Sequence, residues 1–257
     1  MMFYALRNFI SETVFFFGGL GLLTKDVFQT IMHVKPEIKT TVLQVYQIGV
    51  RSLPLIITTA LSVGMVITLQ SGNGLAKFGG TLYLPKTVSL SILWELGPLF
   101  TGLMVAARVG AGITSEIGSM MVTQQIDAMR ALGTSPIKKI VIPRVIACFI
   151  ALPLLVAVTD FLGILGSMMV CNNQFHIDPH FFMQKMTTTF VPFDYISGFS
   201  KSFFFSLFIS LPACYLGLGV REGAQEVGQA TTKSVVVSSI LILVGDFFLT
   251  KLFWIFS

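Results

Sequence analysis

Five stretches of this chain run for about twenty residues or more with almost no charge, and that property governs what it can become. Residues 52–76 carry no charge, 87–107 carry only Glu95, 145–177 carry only Asp160, and 202–220 carry none. Residues 234–257 carry Asp246 and Lys251 in an otherwise apolar run. At about 1.5 Å per residue, a helix of some 20 residues crosses roughly 30 Å of hydrocarbon. Composition points the same way, because charged residues are 11% of the chain where a soluble domain carries about 25%. Seventeen basic and twelve acidic residues cannot clothe a soluble globule of 257 residues. The reading is an all-α integral membrane protein with spans at 52–76, 87–107, 145–172, 202–220 and 234–256. Disorder, a secreted disulfide scaffold and an ordinary cytosolic enzyme are excluded.

Residues 1–48 stand apart. Val14–Leu23 is apolar over ten residues, too short to span, with Glu12 before it and Lys25-Asp26 closing it. No small-residue cleavage site follows, so an interfacial helix is expected rather than a signal peptide. Five spans place the termini on opposite sides. Residues 1–51, 108–144 and 219–233 hold twelve of the 17 Lys and Arg, which predicts a cytoplasmic N-terminus. The net charge of +5 does not indicate nucleic acid, because the cations are scattered, with Lys138-Lys139 the one adjacent pair. Cys148, Cys171 and Cys214 form no disulfide framework.

Between spans two and three the pattern changes. A helix over 113–132 places Glu116, Ser119, Thr123, Asp127 and Arg130 in one stripe. Ile113, Ile117, Met120, Met121, Ala128 and Leu132 fall opposite, and Gly133 with Pro136 supplies a stop. Such a helix either rests its apolar face on the bundle with a solvated polar face, or presents that face to a docked protein. Periodicity leaves both open.

Several motifs then occur in order: Trp94-Glu95-Leu96-Gly97-Pro98, Ala107-Arg108-Val109-Gly110-Ala111-Gly112, Ser115-Glu116-Ile117-Gly118-Ser119-Met120, Gln125-Ile126-Asp127-Ala128-Met129 and Ile142-Pro143-Arg144. Ala230–Val236 and Asp246-Phe247-Phe248-Leu249-Thr250 follow near the C-terminus. From Gly49 to Phe253 the chain resembles the permease subunit of MlaE/YrbE-type ABC transporters, which carry lipid together with MCE proteins. The resemblance implies an interfacial N-terminal helix, five spans and a homodimer in a bacterial inner membrane, with one cytoplasmic ATPase per permease. It also implies a periplasmic MCE-domain partner, allows a small cytoplasmic STAS-type subunit, and makes phospholipid the cargo. Segment 113–132 matches the family's coupling helix, so Glu116, Gln124, Gln125 and Asp127 are expected to face the ATPase. Gln124 stands where the family often has Glu.

No Walker A pattern is present, since Gly72-Asn73-Gly74 lacks a following Gly-Lys-Ser/Thr. ATP and Mg are therefore expected on the partner ATPase, with no cofactor in this chain. A charge at mid-bilayer costs about 2.5–3.5 kcal/mol on insertion scales, so each needs a reason. Glu95 and Lys201 match family positions lining the lipid cavity, and Asp246 matches an acidic position beside it; Trp94 stands where the family often has Arg. Leu61, Met65 and Leu69, with Val63 and Val66, are expected to form apolar wall, and Lys201 to attract a phosphate. Asp160 is expected to pair with a base or hydroxyl on a neighbouring helix. His176, Asp178 and His180 resemble a short metal-ligand run, but Pro179 breaks the geometry and a solvated outer loop is expected. The rival reading is an intramembrane lipid-modifying enzyme, against which no set of nucleophile, base and orienting group is visible.

Overall fold

The computed structural model describes residues 2–33, 37–189 and 192–256, and among them the regular structure is helical throughout. The helices are α1 (Met2–His33), α2 (Ile38–Ile48), α3 (Leu53–Ala76), α4 (Leu84–Ser91), α5 (Gly97–Val105), α6 (Ala111–Val122), α7 (Gln125–Ala131), α8 (Ile142–Phe175), α9 (Pro179–Thr189), α10 (Pro192–Leu218) and α11 (Gly223–Phe256). Wider π-helical turns at Ile92–Leu96 and Ala106–Gly110 join α4, α5 and α6 into one rod, and another at Ile137–Val141 opens α8. The second span therefore continues past residue 107 into the segment expected to begin a separate helix.

Among the described residues, six helical stretches are long and apolar enough to cross a membrane: Val14–His33, Ile38–Ala76, Thr81–Val122, Ile137–Phe175, Tyr195–Leu218 and Gly223–Ile255. Five of them overlap the expected spans. The sixth lies in the N-terminal region, where the apolar helical stretch is 20 residues rather than ten, with a mean hydropathy of 1.2. Its length comes from helix continuing through Lys25 and Asp26, which were expected to end it.

The bundle is held by close approach of backbones. On α3, Ile56, Ala60, Gly64, Thr68 and Gly72 recur at every fourth position and are all buried. A methyl group built on Gly64 would lie 2.1 Å from the Gly163 carbonyl oxygen of α8, so only glycine permits this contact. Lipid tails are as apolar as a leucine side chain, so small residues and helix-to-helix hydrogen bonds bind spans together. Ser167 of α8 accordingly reaches the Gly64 carbonyl at 3.2 Å, and the Thr101 and Thr159 hydroxyls join α5 to α8 at 2.7 Å. Thr114 of α6 donates to the Ala213 carbonyl of α10 at 3.1 Å. Asp160 departs from expectation: it is 3% exposed, its carboxyl rests on Gly97, and neither oxygen has a hydrogen-bond partner among the described residues.

The segment 113–132 is two helices rather than one. Gln124 adopts φ 57, a left-handed conformation that ends α6 and starts α7. The Thr123 hydroxyl bonds back to the Ser119 carbonyl at 2.8 Å, competing locally with the helical ladder. The break resets the phase. Ile126 becomes fully buried, whereas Leu132, expected on the apolar face, is 82% exposed, and Ala128 is exposed too.

The segment after α8, expected as a solvated loop, also differs from expectation. Asp178 accepts the backbone N–H of His180 at 2.6 Å and opens α9, with Pro179 at its first position, where a missing N–H costs nothing. No group of three or more potential metal-ligating side chains occurs among the described residues.

Candidate functional site

The site begins with a proline. In an α-helix the carbonyl of residue 94 would accept the N–H of residue 98, but Pro98 has none. The Gly97 N–H instead bonds to the Ile92 carbonyl, five residues back. The π-helical turn and Pro98 together release the carbonyls of Leu93 and Trp94, and both turn towards α10. Gly198 of α10 packs directly on the Leu93 oxygen, so closely that a methyl group there would lie 1.9 Å from it. One turn further along α10, the Lys201 ammonium reaches the Trp94 carbonyl at 3.0 Å.

Lys201 is 2% exposed, and a buried ammonium must be compensated. Its nitrogen lies 2.8 Å from Glu95 Oε2, 3.2 Å from Asp246 Oδ1 and 2.8 Å from Thr250 Oγ1. Asp246 and Thr250 are four apart on α11 and so share a face. The Thr250 hydroxyl accepts from Lys201 and has a single proton to donate, to Glu95 Oε1 at 2.9 Å or to the Asp246 carbonyl at 2.8 Å. Three helical segments thus meet on one nitrogen.

Two carboxylates against one ammonium leave an excess of negative charge, and Glu95 is the more exposed acid, at 31% against 15% for Asp246. The crevice beside them is lined by Trp94, Glu95, Ser197, Lys201, Thr250, Phe253 and Trp254. At about 20 Å³ it holds little more than one water. Lys201, expected to attract a phosphate, has its charge buried and shared between two carboxylates in the single chain. Nor are the acids arranged for chemistry, since each is committed to a buried cation.

The structure thus brings together Glu95, Lys201 and Asp246, which lie on separate helices. It does not bring Leu61, Met65 and Leu69 to the crevice; they form another face of α3, on which the Leu61 backbone packs against Gly166 of α8. Trp94 through its carbonyl, Ser197 and Thr250 were not anticipated. Thr250 was detectable four residues after Asp246, and the Trp94 carbonyl four residues before a proline.

At the other end of the rod, Glu116, Gln124, Gln125 and Asp127 are all exposed. Glu116 is bound by the buried Arg144 at 2.8 Å, and Asp127 pairs with Arg130 at 3.0 Å on its own helix. The latter, exposed on both sides, is worth well under 1 kcal/mol.

Comparison with known proteins completes the picture. Residues 41–252 match the model of the family described as Permease MlaE, which covers the rod, the segment 113–132 and all three members of the charge cluster. The chain belongs to the MlaE permease family. A probable ABC transporter permease protein of Rickettsia bellii is 41% identical over 237 residues, 92% of each chain. The intermembrane phospholipid transport system permease protein MlaE of Haemophilus influenzae is 32% identical over 254 residues, covering 95% of this chain and 97% of that one. The chloroplastic protein TRIGALACTOSYLDIACYLGLYCEROL 1 of Arabidopsis thaliana is 30% identical over 246 residues, 95% of this chain and 70% of that protein. As an MlaE-family permease, this chain is a multi-pass membrane protein of a transport family.

Proposed function

We propose that this chain is the membrane-spanning subunit of an ABC transporter that moves phospholipid between the bacterial inner membrane and a periplasmic MCE-domain partner. A separate cytoplasmic ATPase, binding ATP and Mg, drives it. The carrying observation is the family match over 41–252 together with the named function of the Haemophilus influenzae relative. The N-terminus is cytoplasmic, following the bias of Lys and Arg, and α1 lies along the interface. Supporting the latter, Lys25 and Asp26 would fall near the middle of Val14–His33 were it to cross, at about 2.5–3.5 kcal/mol each.

Two copies assemble to make the lipid path. One chain offers only a water-sized crevice at Glu95, far below the roughly 300–1,000 Å³ of ligand sites. Beside it α11 exposes Ile240, Leu243, Val244, Phe247 and Phe248. Facing copies would enlarge the crevice, with Leu61, Met65 and Leu69 as apolar wall. Glu95, the exposed acid, would meet the positive end of a head group. The exposed residues Gln124, Gln125 and Asp127 dock the ATPase, with Glu116 bridging to Arg144.

Native mass spectrometry of the complex purified from its own membranes tests this reading. Two permease chains with an ATPase and bound phospholipid are expected; absence of either ATPase or lipid refutes it. Asp127→Lys should lower ATPase recovery in a pull-down without changing the permease melting temperature, and full recovery would remove Asp127 from the docking face.

A further inference from the structure

A polar cavity of about 260 Å³ lies between α2 and α6, lined by Gln44, Gln47, Ile48, Arg51, Arg108, Val109, Gly112, Ile113 and Glu116. Two features set it apart. First, neither Arg51 nor Arg108 has an ion-pair partner within 4 Å among the described residues. The one hydrogen bond described for either guanidinium runs from Arg108 to the Ser52 hydroxyl, at 2.6 Å. Glu116, the cavity's one carboxylate, is already neutralised by Arg144 at 2.8 Å. The cavity therefore carries two uncompensated positive charges, with two glutamine amides beside them.

Second, its depth is fixed. Ser52 opens the charge-free run of α3, and Arg108 directly follows the apolar run 87–107. Helix continues beyond both residues, but the charge-poor runs end there, and the Arg108–Ser52 bond holds the two ends at one level, suited to the boundary between hydrocarbon and head groups. About 20 Å of helix separates Arg108 from Glu95 on the same rod, so the cavity is distinct from the Lys201 cluster. Apolar side chains stand exposed close to Arg51 in sequence, with its neighbour Val50 at 48% and Ile57, six residues on, at 39%. Basic cavities between spans at this level suit lipid head groups.

We infer that the Arg51–Arg108 cavity binds the phosphate of an anionic phospholipid from the adjoining leaflet, with the acyl chains running down the exposed face of α3. A guanidinium pair presents several N–H donors to phosphate oxygens, the geometry at which arginine excels. The two glutamines supply further donors to a glycerol or phosphate oxygen.

The test titrates the detergent-solubilised full-length chain with dipalmitoyl-phosphatidylglycerol, dipalmitoyl-phosphatidylcholine or inorganic phosphate, counting adducts by native mass spectrometry. Wild type should bind one phosphatidylglycerol, in addition to any lipid held at the Glu95 crevice, that Arg51→Gln and Arg108→Gln each weaken about tenfold. Arg51→Lys should keep most of the binding, and phosphatidylcholine should bind more weakly. Arg51 is exposed, so Arg51→Gln tests the site even where Arg108→Gln, which loses the Ser52 bond, folds poorly. Equal adducts in wild type and Arg51→Gln overturn the inference. Inorganic phosphate binding as tightly as lipid, with the same dependence on Arg51, overturns the lipid source and leaves a soluble anion as ligand. Variants that keep lipid but lose the ATPase subunit in a pull-down overturn it in favour of protein docking.

Discussion

Removing Lys201 should unlock the junction of the π-helical turn with α10 and α11, and the cost follows from the geometry. Glu95 and Asp246 both reach its nitrogen, at 2.8 and 3.2 Å. Their oxygens are thus no more than about 6 Å apart, and two like charges at that distance repel by roughly 3 kcal/mol at an effective dielectric of about 20. Lys201→Met removes the attraction that offsets this repulsion, at a cost of roughly 3–5 kcal/mol, as seen when one member of a buried ion pair is removed. At about 2–4 °C per kcal/mol for a chain of this size, the melting temperature should fall by about 10 °C. The chain has two tryptophans, Trp94 and Trp254, and both line the crevice, so their fluorescence in detergent reports this site directly. The triple variant Glu95→Gln, Lys201→Met, Asp246→Asn removes every charge and should regain most of the loss, because replacing a whole buried cluster is often neutral. A single variant melting within about 2 °C of wild type, or a triple variant as unstable as the single one, would refute the reasoning.

Three further outcomes follow from packing and backbone geometry. Gly64→Ala, whose new methyl group meets the Gly163 carbonyl, should cost about 3 kcal/mol in thermal unfolding, while Gly74→Ala on the same helix, with nothing within 4 Å, should be neutral or slightly stabilising. Gln124→Gly should raise stability by roughly 0.5 kcal/mol by relieving the left-handed backbone, measured as a shift in melting temperature; a fall would show that the Gln124 side chain holds the break. Asp160→Asn keeps the shape of the carboxyl against Gly97 and removes a buried ionisable group, so its melting temperature should equal or exceed that of wild type.

How much of this was legible in the sequence depends on the range over which each feature is determined. The spans were legible because hydrocarbon imposes a length and an apolar composition that any single helix must meet alone. The segment 113–132 was half legible. Its periodicity identified exposed Asp127 and buried Ile117 correctly, but one left-handed residue at Gln124 shifted the apolar face beyond it. That change brought Ile126 in and turned Leu132 out. Nothing in a glutamine marks such a break, since glycine is the residue that ordinarily adopts it. The N-terminal apolar run of ten residues sits in a longer helix because Lys25 and Asp26 are compatible with helix and end only the apolar character, not the hydrogen-bond ladder.

The charge cluster shows the other limit. Glu95, Lys201 and Asp246 each stood out as a charge in an apolar run, but their meeting is a property of three helices at once, and periodicity along one helix is silent about its neighbours. The local cause was nevertheless written in five residues. Pro98 cannot donate to the Trp94 carbonyl, so that oxygen requires a donor from elsewhere, and in hydrocarbon only another helix can supply one. Lys201 supplies it, and its charge then requires acids within reach, one on the same π-helical turn and one on α11. The order of cause runs from a missing backbone hydrogen to a buried cation to the two carboxylates that hold it, so the proline and the lysine must be read together to place the site.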